Sequence, residues 1–166
     1  MKALPTPDQV RQLPAVRTSV VGEDALDEND HMTIGRYFEE LARALWDRTI
    51  ALGMGQEYID GRGLSTFTAE QHLTYLGELR RGDEFSLHVR MVERSEKVLH
   101  AVVMMLDATR DRLACVFEST AVHVDMTSRR PTPFPDDIAA ALDAALTADA
   151  VDWPAPLCGA MGVRRG

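Results

Sequence analysis

LDENDHMTIGRYFEELARALWDRTIAL, residues 26–52, joins a polar loop to the longest helical pattern in the chain. The loop reads Asp27-Glu28-Asn29-Asp30-His31. Thr33 fits the N-cap position, because its hydroxyl can accept a bond from an otherwise unpaired backbone amide. Beyond it, Ile34, Tyr37, Phe38, Leu41, Leu45 and Leu52 recur at helical spacing on one side. Glu39, Glu40, Arg43 and Asp47 fall on the other. The pattern predicts a buried helix that stops near Gly53 or Gly55, where glycine can terminate it. Its N-terminus would turn free N–H groups and partial positive charge toward a loop bearing a carboxylate and an imidazole. That suits stabilisation of a developing oxyanion. The same residues also describe an acidic surface loop that caps a core helix.

Upstream, residues 1–16 read as an extension in which Thr6-Pro7-Asp8 can start one helical turn, with Pro at the first helical position. Arg17 to Val21 resembles a short strand feeding the Asp27 loop. Downstream, Gly53–Ser65 reads as a connection anchored by Tyr58 and Ile59. From Thr66 the period changes to two: Phe67, Ala69, Leu73 and Tyr75 alternate with Thr68, Glu70, His72 and Thr74. Arg81-Gly82-Asp83 reads as a turn. Phe85, Leu87, Val89 and Met91 then alternate with Ser86, His88, Arg90 and Val92. Glu93 to Lys97 turns again. Val98 to Ala108 is apolar on both faces, which predicts a central strand. After Arg110-Asp111-Arg112, Leu113 to Met126 makes another long strand. Long strands joined by short polar turns predict an antiparallel meander. Pro135, two aspartates and the stripe Ile138, Ala141, Leu142, Leu146 predict a C-terminal helix. The tail from Ala148 ends in two arginines, and Trp153 is its natural anchor. The expected division is 1–16 extension, 17–147 domain, 148–166 tail. A strongly curved sheet could wrap the long helix, and pairing through a sheet edge would favour a two-fold dimer.

At 166 residues and formal charge −8, one soluble domain is expected, without a broad nucleic-acid surface. No apolar run approaches a membrane span, and MKALPTPDQV lacks a signal-peptide core. Cys115 and Cys158 give neither a disulfide framework nor zinc spacing. A cytoplasmic protein without metal or cofactor is expected. His88, His100 and His123 lie on separate strands without short ligand spacing, so isolated strand histidines are expected rather than a metal site. Met104 and Met105 read as core. No phosphate-binding glycine loop, Gly-x-Ser-x-Gly elbow or Cys/His nucleophile arrangement occurs.

The element order and the loop motif resemble the hotdog-fold acyl-CoA thioesterases of the hydroxybenzoyl-CoA thioesterase-like branch, over roughly Thr18 to Leu146. Members often read Asp-x-Asn-Gly-His-Met/Val-Asn-x-x-x-Tyr where this chain has Asp27-Glu28-Asn29-Asp30-His31-Met32-Thr33-Ile34-Gly35-Arg36-Tyr37. Asp27, Asn29, His31, Met32 and Tyr37 match. Asp30 replaces the usual Gly, and Thr33 the usual Asn. Glu70-Gln71-His72-Leu73-Thr74-Tyr75-Leu76 with Arg81-Gly82-Asp83 resembles the branch's second strand and turn. Lys97-Val98-Leu99-His100, His123-Val124-Asp125 and Arg129-Arg130-Pro131-Thr132-Pro133-Phe134-Pro135 resemble the thioesterase segment appended to some carnitine dehydrogenases, a group associated with betainyl-CoA. The resemblance implies an α+β hotdog fold: a curved antiparallel sheet of about five strands around a long helix, with a C-terminal helix. It also implies an acyl-CoA substrate, a homodimer or homotetramer, and a place in carnitine metabolism.

In that family the Asp equivalent to Asp27 acts on the thioester carbonyl, as nucleophile or as base for water. His31 can organise the loop or assist proton transfer. Asn29 is a turn former that also borders the expected substrate site, as do Thr33 and Tyr37. Glu70 and His72 contact substrate if their strand face meets the pocket, and nothing specific if it faces solvent. Arg80, Arg81, Arg129 and Arg130 can meet coenzyme A phosphates or remain surface charge. Hydration of an acyl thioester is the alternative reaction, using His31 with Glu39 or Glu40. A non-catalytic acyl-CoA-binding module is the other. A betainyl group would call for aromatic faces and a negative charge. Tyr37, Phe67 and Tyr75 with Glu70 are the candidates, whereas Trp46 stands about 13 Å along the helix from Tyr37.

Overall fold

The computed structural model describes residues 4–163; the two arginines near the C-terminus lie outside them. The central helix α2 (Ile34–Ala51) starts where its capping chemistry predicts, with the Thr33 hydroxyl accepting the Arg36 amide at 3.1 Å. It ends at Leu52, and Gly53 follows at φ +88°, a left-handed conformation that costs glycine little. Tyr37, Leu41 and Ala44 are buried against the sheet, with Leu45 and Leu52 packed beside them. Ile34 and Phe38, expected on the same side, are 75% and 39% exposed. The sheet covers a narrower arc of the helix than its apolar stripe. Phe38 still meets Phe117 edge-on at 5.9 Å between centroids.

The sheet contains β1 (Ala15–Val20), β2 (Leu64–Tyr75), β3 (Glu84–Arg94), β4 (Val98–Asp107), β5 (Arg112–Asp125) and the two-residue β6 (Arg130–Pro131). The main order is β1-β3-β4-β5-β2, antiparallel throughout. The two-sided apolar strand β4 is central, as its composition requires. Curled around α2, this sheet is the hotdog arrangement.

Two expectations need correction. The meander holds for β3-β4-β5, but β2 pairs with β5 at the far edge. Residues 76–83 therefore cross from one side of the sheet to β3. The Gly53–Ser65 connection also contains α3 (Gln56–Arg62), closed by Gly63 at φ +62°. Tyr58 anchors it, its hydroxyl 2.7 Å from His123 Nε2.

A break in β2 fixes which side chains face the helix. Thr68 pairs with Ala121 and Glu70 with Thr120, so Ala69 is the extra residue of a bulge. The alternation is reset there. Gln71, Leu73 and Tyr75 face the concave side, and Glu70, His72 and Thr74 the convex side.

Each face has its own core. The concave cluster includes Tyr37, Leu41, Val103 and Phe117, sealed by Ile138 and Leu142 of α4 (Asp136–Ala148). The convex cluster joins Val102, Met104 and Val116 to Val10 of α1 (Pro7–Val10), Leu13 and Trp153. Trp153 holds the tail as expected: its indole donates to Gln12 Oε1 at 2.9 Å, and Arg90 lies 4.8 Å from its ring centroid. Among the described residues, no helix is long and apolar enough to cross a membrane.

Candidate active site

The Asp27 loop is a tight turn stapled to the crossover. The Asp30 amide donates to Asp27 O at 3.1 Å, and the Asp27 amide to His31 O at 2.9 Å. Asp30 sits at φ +61°, a left-handed conformation that aspartate tolerates better than most residues. The residue in the usual glycine position thus preserves a glycine-like turn. Its carboxylate projects toward Arg81, 3.7 Å away.

Asp27 Oδ1 accepts the amides of Asn29 at 2.9 Å and His31 at 3.3 Å. The Asn29 amide is the main cause that draws the Asp27 carboxyl below the usual carboxylate range; partial desolvation opposes it and the His31 amide adds to it. Asp27 is therefore ionised at neutral pH. Asn29 itself is exposed, and its backbone amide carries this role.

The crossover forms the other wall. Met32 donates its amide to Leu79 O at 2.8 Å, and His31 forms an isolated antiparallel bridge with Arg80. Tyr37 ties the helix start to this segment. Its hydroxyl donates to Gly77 O at 3.0 Å and accepts from Leu79 N at 2.8 Å. Burial pushes the phenol up to about 12, so it remains protonated. His31 Nε2 stands 2.8 Å from Glu78 Oε2. A hydrogen bond from Arg80 is the main cause that draws Glu78 below its usual range.

A cleft of about 360 Å³ gathers Asp27, His31, Ile34, Tyr37, Tyr75 and Glu78. The Tyr37 and Tyr75 rings meet edge-on at 5.5 Å. At the start of α2, Arg36 and Tyr37 donate their amides to Thr33 O at 3.0 and 3.1 Å, so the Ile34 and Gly35 amides are the ones this helix end can offer an oxyanion. A smaller cavity of about 160 Å³ lies farther along α2, lined by Leu45, Trp46, Thr68, Gln71, Leu99 and Phe117.

Of the residues singled out in the sequence, Asp27, His31 and Tyr37 line one cleft. Thr33 borders it, with its hydroxyl engaged in the cap. Glu70 and His72 face the convex side, because the bulge resets the strand. Phe67 lies there too, with the Arg129 guanidinium 4.9 Å from its ring centroid. The alternative pairing of His31 with Glu39 or Glu40 is replaced by His31–Glu78. Glu39 pairs with Arg36 at 3.2 Å, and Glu40 lies 3.8 Å from both Arg17 and Arg36. Arg80 and Arg81 flank the cleft loop. The three strand histidines sit in separate hydrogen-bonded settings: His88 with Leu13 O, His100 with Glu118, and His123 with Tyr58 and Thr132 O.

Glu78 and the Leu79 amide were missed as site components. Nothing local distinguishes them, since their role comes from the crossover. Glu118, a carboxylate that closes the apolar run Ala114-Cys115-Val116-Phe117, lies outside this cleft, buried beside His100.

Residues 21–142 match the family model described as the thioesterase-like superfamily. The L-carnitine dehydrogenase/betainyl-CoA thioesterase of Ruegeria pomeroyi is 32% identical over 85% of this chain, which spans only 29% of that protein's length. The betainyl-CoA thioesterase of Pseudomonas aeruginosa is 24% identical, over 72% of this chain and 75% of that protein. A Staphylococcus aureus protein solved in complex with CoA has the same fold, at a TM-score of 0.83 and 22% identity, covering 99% of this chain and 100% of its own.

Proposed function

The chain belongs to the thioesterase-like superfamily, and on that premise we propose that it hydrolyses a small acyl-CoA thioester through Asp27. The observation that carries the proposal is the ionised Asp27 carboxylate, held by two backbone amides in the cleft at the start of α2. Asp27 either adds to the thioester carbonyl or takes a proton from the water that does. In both routes the carbon–sulfur bond breaks, coenzyme A leaves as the thiol, and water supplies the oxygen gained by the acid. The α2 amides stabilise the oxyanion. His31, oriented by Glu78, is placed to organise the loop and pass a proton. Arg80 and Arg81 are the candidates for meeting coenzyme A phosphates.

We assign betainyl-CoA as the preferred substrate. The names of the relatives and the Tyr37–Tyr75 pair beside Glu78 support this choice. Carnitine metabolism and a cytoplasmic location are parts of the same proposal. The functional unit is a homodimer, or a homotetramer built from it. Support comes from the long edge strand β2, whose outer side meets no strand among the described residues, and from exposed Ile34, Phe38 and Tyr75.

An acyl-CoA panel followed by thiol release tests the reaction. Hydrolysis gives free thiol; addition of water across a double bond gives none. A binding module gives a thermal shift without product. Either of the last two outcomes would replace the thioesterase reading.

A further inference from the structure

On the convex face, His72, Glu118 and Cys158 each place one metal-ligating atom within 4.8 Å of the others. We propose that these three residues bind a zinc-class divalent cation that clamps the C-terminal tail to the sheet. His72 and Glu118 are directly opposed in the β2–β5 register. Glu118 is 1% exposed, and a carboxylate buried so deeply needs compensating partners. His100 Nε2 stands 2.9 Å from Oε1, while the Cys158 amide donates to Oε2 at 2.7 Å. The second bond fixes the backbone that carries the thiol. The tail is held on both sides of it, by Arg90 donating to Trp153 O at 2.9 Å and by Val163 donating to Glu93 Oε1 at 2.9 Å.

The donor chemistry selects the ion. Thiolate, imidazole and carboxylate together suit zinc in a tetrahedral site, and the thiolate disfavours magnesium and calcium. Three protein ligands leave one position for water. His100, itself between Glu118 and Glu93, orients the carboxylate from behind. Tetrahedral ligand atoms stand about 3.5 Å apart. Closure around an ion thus needs movements of about 1 Å, which exposed His72 and Cys158 can make. The Cys158 thiol would release its proton to solvent on binding. A cleft of about 460 Å³ lined by His72, Thr74, Leu157 and Cys158 gives the ion access. The ligands are far apart in the chain, so no short motif announces them.

The test uses the full chain, stripped by chelator and titrated with zinc by calorimetry, with cobalt(II) as the spectroscopic probe. One ion per chain is expected, together with a raised melting temperature and a thiolate-to-cobalt charge-transfer band. His72→Ala and Cys158→Ser replace exposed side chains, and each should weaken binding at least about tenfold. Cys158→Ser should also remove the charge-transfer band. Absence of saturable binding at one ion per chain would overturn the proposal. So would unchanged affinity and spectra in both folded variants.

Discussion

The Tyr37 hydroxyl accepts the Leu79 amide proton at 2.8 Å, fastening the first turn of the central helix to the crossover. Leu79 is fully buried and Tyr37 is 4% exposed, so water cannot readily replace this partner. Tyr37→Phe should cost about 1–3 kcal/mol, because it strands a buried donor while keeping the ring. At this chain length, each kcal/mol lowers Tm by about 2–4 °C. Thermal unfolding monitored by circular dichroism measures the change. An unaltered Tm would show that other bonds hold the crossover.

Asp27→Asn keeps the size of the side chain and an oxygen able to accept the Asn29 and His31 amides. It removes the charge needed to attack a carbonyl or activate water. Thiol release should fall by at least about 10²-fold while Tm changes little. Near-normal turnover would remove Asp27 from the chemistry.

The pH profile follows from the depressed pKa of Asp27. Hydrogen bonding to the carboxylate lowers its folded-state pKa, so its stabilising contribution is present above the unfolded value and lost as pH falls through the folded value. Glu78, Asp125, Asp137 and Asp143 shift in the same direction. The Asp27-dependent acid limb should therefore lie below the ordinary aspartate value of about 3.9, near the onset of acid unfolding. Profiles of kcat/KM, paired with circular dichroism at each pH, separate the two effects. An acid limb near pH 6 in folded protein would assign the limiting protonation to another group.

Legibility in the sequence depended on the range of the interaction. Thr33 capping, the Gly53 stop and the two-sided β4 strand follow from local chemistry or periodicity, and the structure retains them. The Asp27 motif likewise located the turn, even with Asp30 in the glycine position. The facing of Glu70 and His72 was not legible. One extra residue at Ala69 reverses a period of two, and no glycine or proline marks the bulge. The crossover was hidden because the sequences of β2 and β3 each read as an ordinary strand, while their separation is decided by how the sheet closes. Glu78 enters the cleft only through that closure.

The edge strand makes assembly testable. Residues Leu64–Tyr75 form a long β2 that ends beside the cleft at Tyr75. Light scattering at assay concentration should give a two-fold dimer as the smallest active unit. Ile34→Lys and Phe38→Lys place charges on exposed apolar side chains of the helix. Together they should shift the equilibrium toward monomer and reduce turnover. A fully active wild-type monomer would contradict this assembly.

Selectivity for a quaternary ammonium group is the last and narrowest expectation. Such a group donates no hydrogen bond, so aromatic faces and nearby negative charge must recognise it. Phe67 and Glu70 face away from the Asp27 cleft, whereas Tyr37, Tyr75 and Glu78 line it. Tyr37 already uses its hydroxyl on the crossover, leaving half-exposed Tyr75 as the main aromatic surface. Glu78 supplies the counter-charge, although its bonds to Arg80 and His31 moderate that charge. Betainyl-CoA should thus exceed an uncharged thioester of equal shape in kcat/KM by about 2–30-fold, the range of one cation–π contact of about 0.5–2 kcal/mol. Tyr75→Ala and Glu78→Gln should narrow that ratio, while Glu70→Gln should leave it intact. Comparing the two substrates within each variant cancels general losses of activity. Equal efficiency on both substrates would eliminate cation recognition while leaving thioester hydrolysis standing, and a narrowed ratio in Glu70→Gln alone would return the counter-charge to β2.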